Sequence, residues 1–190
     1  KKSEVASWRK SLWEASVQNL KPNATNQAAP KILELKAGEH RMRYTLQPVG
    51  KKPANGWPLY IALHGGGQDK TINDGSWATM QIFYKVPNAL YLCPRMPQDT
   101  FEGWFHPPAC DLFERLLQEM LALREVVPNR VYILGYSLGG YGTMALAPRL
   151  ADRWAAGGCS AGGCRPKGHP LANLRNTPFI IQIGTADMEG

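Results

Sequence analysis

Three features of the sequence predict an α/β fold with a mostly parallel sheet flanked by helices. Four apolar runs, in PLYIALHGGG, NALYLCPR, RVYILGYS and PFIIQIGTAD, are unbroken rather than alternating, as expected of strands covered on both faces. Between the second and third lies a segment, residues 111–127, with one apolar face at helical spacing. The chain has 190 residues, 44% hydrophobic and 19% charged, enough for one packed core. Strands alternating with helices then imply right-handed crossovers within a single sheet.

Residues 1–30 read as an N-terminal helix and linker. Val5, Trp8, Leu12, Trp13 and Val17 fall near helical spacing within 4–20, and KPNATNQAAP is a loop. KILELKA and RMRYTLQPV follow with partial alternation and predict an antiparallel hairpin. In the 111–127 helix Leu112, Phe113, Leu116, Leu117, Met120, Leu121 and Val126 form the buried face, with Asp111 near its N-cap and Pro128 as its stop. A further helix is expected over 140–150, and 179–183 as a later core strand.

Composition narrows the function classes. Lys and Arg number 22 against 15 Asp and Glu, a net charge of +7, but no block of five like charges occurs. Without a basic face carrying stacking aromatics, a nucleic-acid partner is not expected. No apolar run approaches the roughly 20 residues that span a bilayer. Cys93, Cys110, Cys159 and Cys164 show no CxxC and no paired histidines, so no metal or cofactor is expected. They fit either disulfides, with Cys159 and Cys164 nearest in sequence, or buried thiols. The start KKSEVASW, without Met or a signal-peptide apolar stretch, reads as a processed or trimmed chain, and with the cysteines it leans slightly toward a secreted or periplasmic protein.

The chemistry concentrates in VYILGYSLGGYG. Gly135, Ser137 and Gly139 make a GxSxG pattern between a buried strand and a helix, where a sharp turn strains the serine and exposes its hydroxyl. The plain alternative is a small residue in a glycine-rich turn. A nucleophilic serine also needs donors for a developing oxyanion: the N–H of Leu138 at the start of the next helix is one, and HGGG at 64–67 supplies the expected second loop. Asp187, just after a later strand, is placed as the acid, with Glu189 as the nearest rival carboxylate and an ordinary turn aspartate at a strand end as the plain alternative. Of His40, His64, His106 and His169 none follows Asp187. His64 is expected to brace its loop and His169 to lie in a surface loop, so the base is expected beyond Gly190.

Together LHGGGQ, PNRVYILGYSLGGYG, LAPRLADRWAAGGCSAGG and LRNTPFIIQIGTAD resemble the α/β-hydrolase family, over residues 31–190, and are most similar to its depolymerase-like and carbohydrate-esterase-like esterases. The resemblance implies Ser137 as nucleophile, Asp187 as triad acid, Gly66, Gly67 and Leu138 as oxyanion donors, and a histidine in a loop after a last strand. It implies a small-molecule or oligomeric ester as substrate, with peptidase or acyltransferase chemistry as the variant. A binding protein that kept the fold and lost the chemistry is the competing class. No large lid fits between 161 and 178, so the site is expected to be open, walled by loops 68–88 and 96–110, with Trp104 as the aromatic of its substrate pocket.

Overall fold

The computed structural model describes residues 7, 8, 11, 12, 14, 15, 31–163 and 170–187. The six described residues before 31 are helical; the rest of the N-terminal helix and linker lies outside the described residues. From Lys31 onward seven strands form one sheet: β1 (Lys31–Ala37), β2 (His40–Val49), β3 (Trp57–Leu63), β4 (Ala89–Pro94), β5 (Val126–Tyr136), β6 (Ala156–Ser160) and β7 (Phe179–Gln182). Their order is β1-β2-β4-β3-β5-β6-β7. β1 and β2 are the antiparallel hairpin, β2 runs antiparallel to β4, and the remaining pairs are parallel.

Helices α1 (Lys70–Met80), α2 (Pro107–Leu123) and α3 (Leu138–Arg149) cover the sheet. The unbroken apolar runs are explained by two cores. Leu59, Ile61 and Leu63 of β3 enter the larger one with Phe113 and Leu116 of α2 and Leu146 of α3. The intervening Tyr60 and Ala62 meet Trp77 and Met80 of α1 in the smaller, as the two-residue strand period requires. β4 divides likewise: Leu90 and Leu92 on one side, Tyr91 and Cys93 on the other. Burial pushes the Cys93 thiol up to about 12. Cys93 and Cys110 are free thiols, and Cys164 lies outside the described residues. Among the described residues no helix is long and apolar enough to cross a membrane.

Four boundaries differ from the sequence reading. α2 begins at Pro107, not Asp111: prolines at its first positions have the helical φ already set and lose no needed N–H. It ends at Leu123, and Val126 and Pro128 open β5, where Val126 pairs with Trp57. Glu125, at φ 54, makes that break, and its carbonyl accepts from the Trp57 N–H at 2.9 Å. α3 starts at Leu138, directly at the serine. Residues 70–80, expected as loop, are α1, capped by Asp69 whose side chain accepts from the N–H groups of Thr71 and Ile72 at 2.7 and 2.9 Å.

Candidate active site

The carboxyl end of β5 delivers Ser137 into the turn before α3. Its backbone sits at φ 54, ψ −123, a region that a residue with a Cβ occupies only when its surroundings hold it there. The restraints are visible. The Ser137 N–H donates to Ser160 O of β6 at 2.9 Å, and Ser137 O accepts from the Tyr141 N–H at 3.1 Å. The flanking glycines allow α3 to approach the sheet: a Cβ on Gly139 would strike Leu63 O and lie 2.7 Å from His64 O, and one on Gly135 would strike Gly139 O.

The HGGG loop leaves β3 beside this turn. A Cβ built on Gly65 would lie 3.1 Å from Ser137 Cβ and 3.5 Å from its Oγ, so the loop backbone packs directly on the nucleophile candidate. Gly66 has φ +136, and a Cβ there would collide with Asn73 Oδ1; both facts demand glycine. The Leu138 N–H lies in the first turn of α3, where no intrahelical acceptor exists.

Gly67 differs from its expected role. Its N–H donates to Asn73 Oδ1 at 2.8 Å, so it is turned inward and committed. Asn73, fully buried on α1, is the site residue that sequence reading missed; the signal available was the Asp69 cap, which marks a helix running past the loop.

His64 braces this loop. Its Nε2 accepts from the Met96 N–H at 2.9 Å, which places the proton on Nδ1, donating to Gly65 O at 2.5 Å. Burial holds its pKa down at about 4, so the imidazole stays neutral and has no free nitrogen for Ser137. His40 and His106 line a separate cavity of about 270 Å³, with Arg41, Gln98 and Leu112. His169 lies outside the described residues.

Trp104 is not a pocket wall. It is fully buried, its Nε1 donates to His64 O at 3.0 Å, its ring packs edge-on against His64 and Phe113, and it fills the space left by Gly142. The aromatics that do border the loop and the serine are Phe101, whose Cε1 would be 3.4 Å from a Cβ on Gly67, and Tyr136, immediately before Ser137. Each is 50% exposed.

Asp187 lies past the carboxyl end of β7, after a turn in which its N–H donates to Gly184 O at 3.0 Å. Because β5, β6 and β7 are parallel neighbours, Asp187 and Ser137 both follow the carboxyl ends of their strands, on the same side of the sheet's strand axis with β6 between them.

This is the α/β-hydrolase fold, with a strand–serine–helix turn facing a glycine loop. No protein-family model and no curated protein matches the sequence. Solved structures do match. A thermostable esterase aligns at 22% identity over 80% of this chain and 45% of its own, with TM-score 0.61. The poly(3-hydroxybutyrate) depolymerase LpqC from Bordetella parapertussis aligns at 16% over 86% and 68%, with TM-score 0.62. Enterochelin esterase from Shigella flexneri aligns at 16% over 84% and 46%, with TM-score 0.54. The chain thus spans about half the length of two of these three.

Proposed function

We propose that the protein is a serine hydrolase of carboxylic esters. The observation that carries this reading is Ser137 held at φ 54, ψ −123 between strand and helix, with the Gly65 backbone packed on its side chain. A strained serine has no structural purpose in a glycine-rich turn, where a third glycine would fold at lower cost. The named esterases among its structural neighbours support the substrate class.

In this mechanism Ser137 Oγ attacks the ester carbonyl while its proton passes to a histidine outside the described residues, which Asp187 orients. The negative charge that develops on the carbonyl oxygen is met by the N–H groups of Leu138 and Gly66, at the positive end of α3. Collapse expels the alcohol, which takes the proton from the imidazolium. Water, deprotonated by the same histidine, then attacks the acyl-serine and frees the acid. Phe101 and Tyr136 form the apolar rim against which the acyl group lies. An alcohol in place of water would make the same site an acyltransferase, and an activated amide in place of the ester a peptidase.

A fluorophosphonate probe tests the reading on the protein expressed from its full reading frame. Labelling is expected, and is expected to vanish in Ser137→Ala. A folded, unlabelled wild type would instead support a binding protein on this fold.

A further inference from the structure

Behind the glycine loop runs a chain of polar side chains that the mechanism above leaves unused. Asn73 meets Gly67 with both ends of its amide: Oδ1 accepts from the Gly67 N–H at 2.8 Å and Nδ2 donates to Gly67 O at 2.9 Å. Nδ2 also donates to Asp99 Oδ1 at 2.7 Å. A carboxylate only accepts, so Asp99 dictates which end of the amide faces it and hence which end meets the Gly67 N–H. The same Asp99 oxygen accepts from Arg95 Nη2 at 2.6 Å. Arg95 is only 4% exposed and spends its other donors on Asp74 Oδ1 at 2.8 Å, from Nε, and Met96 O at 2.9 Å, from Nη1. Met96 in turn donates its N–H to His64 Nε2 at 2.9 Å, which closes the circuit on the other end of the loop. The glycine loop is therefore held at both ends by one mutually partnered network, buried at Asn73, Arg95 and His64 and partly exposed at Asp99 and Asp74, and such networks restrict the geometry of what they hold.

We propose that Asn73, oriented by Asp99 and Arg95, is the positioning residue of the oxyanion site: it draws the Gly67 N–H inward and so leaves the Gly66 N–H as the loop's donor to the developing charge. The inference rests on the serine-hydrolase reading of Ser137. Asn73 touches no reacting atom and acts through the peptide it holds. Its loss therefore weakens an interaction made in the transition state and leaves ground-state ester binding alone.

The test compares wild type with Asn73→Ala, Asp99→Ala and Asp99→Asn, using p-nitrophenyl acetate turnover and fluorophosphonate labelling. Asn73→Ala and Asp99→Ala are expected to lower kcat and labelling rate by about tenfold to hundredfold with KM changed less than about twofold. Asp99→Asn keeps an accepting oxygen and is expected to recover most of that loss. Asn73 is fully buried and its truncation can unfold the chain; the Asp99 side chain is 32% exposed, so Asp99→Ala carries the test on a folded protein checked by thermal melting. A labelled, active wild type whose Asp99→Ala form keeps its kcat, or loses activity through KM alone, or is not rescued in Asp99→Asn, overturns the proposal. An unlabelled wild type overturns the serine-hydrolase reading first, and this inference with it.

Discussion

Ser137 and His64 are single residues whose backbone or burial leads to measurable consequences. A glycine accepts φ 54, ψ −123 without strain, so Ser137→Gly is expected to stabilise the fold by about 1–3 kcal/mol, read as a raised Tm, while removing all labelling. A lowered Tm would show that the serine is unstrained. His64 has a folded pKa of about 4 against an ordinary value near 6.5. Between those two values the unfolded chain binds more protons, so stability is complete above pH 6.5 and falls as the pH drops toward 4, by up to about 3 kcal/mol. Urea midpoints from pH 7 to 4 should show this fall, and a His64→Asn variant should show less of it. Below that window Asp74, held at about 2 by hydrogen bonds from Lys70 and Arg95, adds a second loss as it protonates. At this scale the sharp turn from strand into helix at Ser137 was legible because glycine spacing reports local geometry. The place of Trp104 was not: FEGWFHPP reads alike whether the indole points in or out, and its partners His64 and Gly142 are distant in sequence.

At the scale of elements, α1 depends on its cap. Asp69→Ala removes the acceptor for two N–H groups and is expected to cost about 1 kcal/mol, a Tm loss of about 2–4 °C in a chain of this size. Because α1 carries Asn73, the glycine loop should loosen with it, visible as faster amide exchange at Gly67. The contact between α3 and the sheet is tighter. Gly139→Ala would drive a methyl group into Leu63 O, a rigid backbone atom, and is expected to cost about 1–3 kcal/mol or prevent folding, measured by denaturation. The sequence announced the strands well, since residues facing two cores must be apolar throughout. It hid α1, because Lys70, Asp74 and Gly75 interrupt the apolar pattern and only Asn73, Trp77 and Met80 are buried. It misplaced the end of α2 because a proline after a helical run reads as a stop, whereas Pro128 lies within β5.

For the molecule as a whole, the sheet is the frame on which the site is assembled, with Ser137, the glycine loop and Asp187 all following the carboxyl ends of its parallel strands. Among the described residues β7 pairs with β6, from Gly157 opposite Phe179 to Ser160 opposite Gln182. The overall architecture was readable from strand–helix alternation, but the network behind the glycine loop was not, since Asn73, Asp99 and Arg95 become neighbours only once the sheet has formed.

The pairing of β3 with β5 also sets when the site can come into being. The glycine loop and Ser137 belong to segments about 70 residues apart, and no local hairpin or helix can bring them together. Reactivity toward the probe should therefore be absent from early collapsed states and appear in step with closure of the central strands. A quenched-flow refolding experiment that pulses the fluorophosphonate would use Ser137 itself as the clock for that closure.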